Sequence, residues 1–233
     1  MKKIKLLLIE DNVDLAFMVK DNMENIIEGY EVDLACNGKE GLEHFKSFVP
    51  DIIVSDIEMP VMNGYEMVKI IRQTNRDVPI LFATGKINPK DVTDGYAVGA
   101  DNYIKKPYTG DELDAHIKTL INLKNNSKLR LKNTIYKIGK YSFDPKNLTL
   151  NYEDSEKKGL TSRESQILEM LLEHKGEIVK REDVLNTFWE KQDPVFASRS
   201  LDVFITKLRG YVSKDESISI KNIKSIGYIL EFD

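Results

Sequence analysis

The chain has one cysteine, Cys36, in 233 residues. A single thiol excludes an internal disulfide framework and suits a reducing interior, where a lone cysteine serves as a small buried apolar side chain. Burial is therefore the expectation for Cys36. Long hydrophobic runs are missing too: no apolar stretch reaches the roughly 18 residues of a membrane span. The opening Met1 to Ile9 is too short, and followed too soon by Glu10-Asp11, to be a secretory signal. A cytoplasmic protein without a membrane partner is expected. Net charge is also small, 34 Lys+Arg against 38 Asp+Glu, or −4. That average hides a split, because residues 1–123 hold 14 against 21, net −7, while residues 124–233 hold 20 against 17, net +3. The acidic half suits a cation and the mildly basic half an anion.

What is present is rhythm. At 41% hydrophobic residues, the chain has enough apolar matter for two domains of about 100–200 residues each. Ile4 to Ile9 is a continuous apolar run, the pattern of a strand buried on both faces. Leu15, Met18, Val19, Met23 and Ile26 then recur at helical spacing. Tyr30 to Ala35 alternates like a strand, Gly38 to Phe48 reads as a helix with Leu42 and Phe45 inward, and Asp51 to Ser55 is again a strand. The alternation continues with a helix near Tyr65 to Arg72, a strand Pro79 to Ala83, a helix Lys90 to Val98, a strand Asn102 to Ile104 and a helix from Asp111 to about Leu123. Repeats of this kind predict a doubly wound α/β domain with a parallel sheet over residues 1–123.

Residues after the strand C-termini of such a sheet share one crevice. Asp56 closes the third strand, where an aspartate commonly serves as a turn or capping residue; its company singles it out. Glu10-Asp11 follow the first strand, Thr84-Gly85 the fourth and Lys106-Pro107 the fifth. Three acids brought close need a cation, and oxygen ligands of this kind suit Mg²⁺. A lysine and a hydroxyl facing the same point suit a phosphoryl group carried by one acid.

With Met59-Pro60, Gly64 and Tyr108 added, these groups resemble the receiver domain of two-component response regulators, a flavodoxin-like (βα)5 fold. The resemblance implies that Asp56 is the phosphoacceptor, served by a sensor histidine kinase. It further implies that Mg²⁺ is held by Asp56, by Asp11 directly, by Glu10 through water and by the backbone carbonyl of Glu58. Thr84, Lys106 and Tyr103 become the phosphoryl-binding and switch residues, Lys106 rather than Lys105 because Pro107 follows it. The chain departs from the pattern on the face made by the fourth helix, fifth strand and fifth helix. Where charged pairs are expected for a homodimer it has Val92, Val98, Asn102, His116 and a non-basic residue near Asn122-Leu123, keeping Glu112.

Residues 124–134 are polar and basic and read as a tether, helical at first. From Ile135 the texture changes to an antiparallel meander, Tyr136 to Gly139, Tyr141 to Phe143 and Leu148 to Tyr152. A helix capped by Thr161 and Glu164 follows, then helices Arg181 to Trp189 and Ala197 to Tyr211, and a hairpin turning at Ser225-Ile226-Gly227. This order predicts an α+β winged helix-turn-helix. The stretches Leu160 to Glu164, Val179 to Leu185, Arg199 to Arg209 and Ile226 to Tyr228 resemble the effector domain of OmpR/PhoB-type regulators over residues 135–233. By that resemblance the third helix enters a major groove of promoter DNA and the wing a minor groove, and RNA polymerase is a partner. Arg199, Val203, Thr206, Lys207, Arg209 and Lys224 fall at contact positions, although Thr206 replaces a usual basic residue and Ser225 the wing glycine. The resemblance implies a regulator that catalyses at most its own phosphorylation and dephosphorylation. Two rivals stand beside it: an aspartate-nucleophile phosphohydrolase, against which Glu58 and the winged helix argue, and a regulator indifferent to phosphate.

Overall fold

The alternation read from the sequence is realised in the computed structural model, which describes residues 2–85, 89–130, 134–153, 157–190 and 192–233, with backbone only at 89–92 and 126–130. The chain divides into two units, Met1–Lys124 and Asn125–Asp233. In the first, β1 (Ile4–Ile9), β2 (Tyr30–Ala35), β3 (Ile52–Ser55), β4 (Ile80–Thr84) and β5 (Asn102–Lys105) are separated by α1 (Val13–Asp21), α2 (Gly38–Phe48), α3 (Gly64–Thr74) and α4 (Pro89–Val98), and α5 (Gly110–Arg130) closes the series. The strands are parallel in the order β2-β1-β3-β4-β5. Helices on both faces explain why Leu6 to Ile9, Ile52 to Val54 and Ile80 to Ala83 are apolar without alternation and are all buried. The strand order reverses between β1 and β3, where Ile9 pairs with Ser55. The next residues, Glu10 and Asp56, therefore leave the sheet side by side.

Helix α1 departs from expectation. Its backbone passes into a π-helical turn at Asn22–Ile26, which breaks the 3.6-residue stripe. Ala16, Val19 and Met23 are buried, whereas Met18 and Ile26 are 63% and 67% exposed. The same segment guards the open edge of the sheet. Glu24 Oε1 accepts the N–H of Val32 at 2.7 Å and Lys20 Nζ donates to its carbonyl at 2.7 Å, so polar groups that an edge strand would offer to another chain are already paired. Cys36 is exposed, not buried, because it lies just past the end of β2. Partial desolvation of the sulfur and the nearby Glu40 carboxylate raise its pKa, which makes it a poor nucleophile. Helix α5 runs on to Arg130, so the first half of the expected tether is helical; residues 131–133 lie outside the described residues.

The unit is pinned by a buried ion pair that the linear pattern does not announce. Arg72 on α3 donates from Nη2 to Asp101 Oδ2 at 2.9 Å, from Nε to the Gly99 carbonyl at 2.9 Å and from Nη1 to the Val78 carbonyl at 2.7 Å. Asp101 Oδ2 also accepts the N–H of Ile80 at 2.8 Å. Both charges are desolvated and both are bonded, so α3, the start of β4 and the approach to β5 are held as one piece.

In the second unit β6 (Tyr136–Ile138), β7 (Tyr141–Asp144), β8 (Thr149–Tyr152) and β9 (Lys158–Gly159) form the antiparallel meander. Helix α6 (Ser162–Glu173) begins with the expected capping box, Thr161 taking the N–H of Glu164 and Glu164 returning to that of Thr161. Then come β10 (Ile178–Lys180), α7 (Arg181–Trp189), α8 (Pro194–Val212), β11 (Ser219–Ile223) and β12 (Gly227–Glu231). The hairpin β11-β12 was legible; β10, three residues pairing with β12, was not, being too short to show a period. Leu201, Ile205, Leu208 and Val212 are buried on α8 as the spacing predicts, joined by Phe204.

Removing one partner of a buried, satisfied pair leaves the other charge stranded at about 3–5 kcal/mol. Arg72→Met is accordingly expected to lower the stability of the first unit by that amount in urea unfolding followed by far-UV circular dichroism. Trp189, the one tryptophan, lies in the second unit, so its fluorescence transition should hold its midpoint.

Candidate functional site

The carboxyl edge of the parallel sheet gathers the acids. One carboxylate oxygen from each of Glu10, Asp11 and Asp56 lies within 4.8 Å of the others. Glu10 is buried, Asp56 half-buried and Asp11 exposed. Lys106 Nζ enters from the end of β5 and lies 2.5 Å from Glu10 Oε2 and 2.5 Å from Asp56 Oδ2. Asp56 is held by its own loop, its Oδ1 accepting the N–H of Ile57 at 2.5 Å and of Glu58 at 3.3 Å. Gly64 makes that loop possible: a Cβ there would collide with the Asp56 carbonyl oxygen and approach Phe82 Cε1 to 2.9 Å.

Burial of the Glu10 carboxyl, partly offset by Lys106, raises its pKa. Burial would lower that of Lys106, but its bonds to Asp56 and Glu10 outweigh the loss and raise it instead. Three carboxylates and one ammonium leave an excess of two negative charges when all are ionised. Hard oxygen donors with that excess and an exposed member on the solvent side fit a magnesium ion. An open cleft lined by Asp11, Glu58, Met59 and Asn63 adjoins the cluster.

Of the remaining expected residues, Thr84 is buried at the end of β4, where its neighbour in register is Lys105. Tyr103 is nearly enclosed, 5% exposed. Its ring lies 5.4 Å from that of Phe82 and 5.0 Å from that of Tyr96, and its hydroxyl occupies the space that a Cβ at Gly95 would need. Asn102 and His116 are also buried, with Asn102 Nδ2 3.4 Å from His116 Nδ1. Burial lowers the His116 pKa. Glu112 takes the N–H of Thr109 at 2.8 Å, capping its own helix, and the Val92 side chain lies outside the described residues.

In the second unit the positions expected to meet DNA separate into two groups. Arg199 and Val203 are half-buried on α8, Thr206 is exposed with its hydroxyl bonded to the Asp202 carbonyl at 2.7 Å, and Lys224 is exposed in the turn between β11 and β12. Lys207 is drawn instead to Glu164 Oε1 at 2.7 Å, an acid 1% exposed on α6. Arg209 donates Nε to the Ile220 carbonyl at 2.8 Å. Sequence spacing could not foresee either bond, because the partner of Lys207 lies 43 residues away and that of Arg209 is a backbone atom. Ser225, where glycine is usual, has φ of 62°, a left-handed turn that a side chain tolerates at some cost.

Residues 6–118 match the family described as response regulator receiver domain, and residues 155–230 the family described as transcriptional regulatory protein, C terminal. The chain belongs to the two-component response regulators, among the OmpR/PhoB-type transcriptional regulatory proteins. It is similar to the transcriptional regulatory protein RprY of Bacteroides fragilis, 36% identical over 98% of this chain and 95% of that protein. The alkaline phosphatase synthesis transcriptional regulatory protein PhoP of Bacillus subtilis is 30% identical over 97% of this chain and 96% of its own length. Among solved structures, the response regulator DrrB of Thermotoga maritima, an OmpR/PhoB homologue, aligns with a TM-score of 0.50 at 25% identity, covering 98% of this chain and 99% of that one. Membership implies a histidine kinase partner and DNA binding, and no helix among the described residues is long and apolar enough to cross a membrane.

Burial pushes the Glu164 carboxyl up, but the charge and hydrogen bond of Lys207, with the Thr161 N–H and the Tyr211 hydroxyl, hold it below the ordinary carboxylate value. A depressed folded-state pKa contributes stability present above the unfolded value, about 4.3, and lost as pH falls through the folded one. Acid titration followed by Trp189 fluorescence should therefore reveal stability lost below that pH. Glu164→Gln should flatten the dependence and lower stability at neutral pH, since Lys207 is left without its counter-charge.

Proposed function

We propose that Asp56 accepts a phosphoryl group from a histidine of the partner kinase, and that phosphorylation of the first unit controls how α8 and the β11-β12 wing of the second grip promoter DNA. The observation that carries this reading is Lys106 bridging Glu10 and Asp56 within reach of Asp11. An Asp56 oxygen attacks phosphorus in line as the bond from phosphorus to the donor imidazole nitrogen breaks and the imidazole takes up a proton. Lys106 turns from the carboxylates to the incoming oxygens and offsets charge on them. Glu10, Asp11, Asp56 and the Glu58 carbonyl would hold Mg²⁺, which supplies charge neutralisation on the non-bridging oxygens when bound. Thr84 donates its hydroxyl to a phosphoryl oxygen, and the enclosed position of Tyr103 behind β4 is the one compatible with that state. Phosphate thus biases a two-state equilibrium through its differential contacts.

Its own phosphorylation and dephosphorylation are the only covalent chemistry this reading assigns. Residues 1–123 form the receiver, 124–134 a connection helical as far as Arg130, and 135–233 the DNA-binding domain, with Arg199, Val203, Thr206 and Lys224 on its DNA side and RNA polymerase as a further partner. Phosphate contacts by the cations position the helix, and base-edge contacts by Val203 and Thr206 specify sequence. Because Asn102 and His116 are turned onto each other and Glu112 is spent on its helix cap, a homodimer over α4, β5 and α5 lacks the opposed charges usual for this class.

In a footprint on duplexes selected by the full chain, acetyl phosphate with Mg²⁺ should extend or strengthen protection, and Asp56→Asn should abolish that response without abolishing basal binding. Full phosphate-independent protection by Asp56→Asn would refute phosphate control; steady hydrolysis of a phosphate ester, lost on the same change, would favour the phosphohydrolase. In sedimentation, association induced by the donor should vary little between low and high salt. Strong association that collapses in salt would restore the charge ladder.

A further inference from the structure

Arg181, the first residue of α7, makes more side-chain bonds across the second unit than its sequence position suggests. Its Nη1 donates to Asp202 Oδ1 at 2.8 Å and to the Tyr228 hydroxyl, and its Nη2 donates to the Ser198 carbonyl and hydroxyl oxygens, both at 2.7 Å. The Tyr228 hydroxyl donates in turn to Asp202 Oδ1 at 3.3 Å. The backbone N–H of Arg181 reaches the carbonyl of Ile226 in the wing turn at 2.9 Å. One residue therefore touches two successive turns of α8, the strand β12 and the tip of the hairpin.

We infer that Arg181 is a positioning residue for DNA recognition: it fixes the offset between the helix in the major groove and the wing in the minor groove, and so sets sequence discrimination. This rests on the reading of α8 and the wing as the DNA-facing elements. Stability is a poor account of the cluster. The side chains of Arg181 and Asp202 are 30% and 61% exposed, and an ion pair so accessible contributes little to folding. Geometry is the better account, because a planar guanidinium with several donors in fixed directions holds four acceptors at set angles, which a flexible ammonium cannot. Recognition elements must be held to about half an ångström to keep base-edge bonds aligned. A small drift of the wing relative to α8 would misalign one reading head whenever the other is seated. Contacts to phosphates tolerate that drift; contacts to base edges do not.

The probe is a duplex selected from a randomised pool by the full wild-type chain, set against an unrelated duplex of equal length. Arg181→Lys keeps the charge and the backbone bond but loses the fork; Tyr228→Phe removes one acceptor and leaves the charge untouched. We expect Arg181→Lys to lower the ratio of selected to unrelated affinity by about tenfold, the size of one mismatched base pair, and Tyr228→Phe by a smaller factor. Affinity for the unrelated duplex, the salt slope and the Trp189 unfolding midpoint should stay at their wild-type values. Unchanged discrimination in both variants overturns the inference, as does a parallel fall in both affinities, which would mark a merely structural role. Failure of the wild type to select any sequence overturns the DNA reading itself, and the clamp with it.

Discussion

The ammonium of Lys106 lies 2.5 Å from a carboxylate oxygen of Glu10 and of Asp56, and much of the first unit serves to make that meeting possible. Like charges in a partly desolvated cluster repel strongly. They are brought together only because the parallel sheet delivers the ends of β1, β3 and β5 to one crevice. Tight local geometry supports the delivery: α3 presses onto the Asp56 loop through Gly64, and Arg72 ties α3 to the approach of β5. The result is a site whose excess negative charge and hard oxygen donors suit a divalent cation, which would relieve part of the repulsion the acids impose.

The second unit handles charge in the opposite way. Its net charge of +2 over residues 125–233, 19 Lys+Arg against 17 Asp+Glu, overstates what it offers outward, because several cations are consumed internally. Lys207 neutralises the buried Glu164, Arg181 is divided between α8 and β12, and Lys221 pairs with Glu231. Of these, the Lys207–Glu164 pair is buried on its acid side and Arg181 joins separate elements, whereas the exposed Lys221–Glu231 pair adds little to stability.

Legibility followed the range of the interactions. Strands buried on both faces announce themselves as unbroken apolar runs, and the acids, Thr84 and Lys106 could be aligned because each directly follows such a run. What escaped was set by contacts distant in sequence or by backbone geometry. Met18 faces away from the buried Ala16–Val19 side of α1, and the π-helical turn after Asp21 breaks the period before the exposed Ile26. Cys36 is exposed because it lies past the end of the strand that its neighbours form. Arg72 and Asp101 sit 29 residues apart, and β10 is a strand only because β12 passes beside it. Val203 and Thr206 remain on the outer side of α8 as the spacing implied, whereas Lys207 left it for an acid that no local pattern connects to it.

With Lys207 bonded to the buried Glu164 and Arg209 Nε bonded to the Ile220 carbonyl, the side of α8 proposed above to meet DNA presents Arg199, the small apolar Val203 and the hydroxyl of Thr206. Fewer phosphate contacts mean fewer counterions released, hence weaker sequence-independent attraction and a shallower dependence on salt. Discrimination must then come from base-edge contacts and from using two copies on adjacent half-sites, whose geometry multiplies a modest single-site affinity. On the proposed reading, a single domain that holds DNA only modestly gives a phosphate-driven change in how two copies associate the most leverage over occupancy, and the paucity of cations on α8 would let a distant aspartate act as the control.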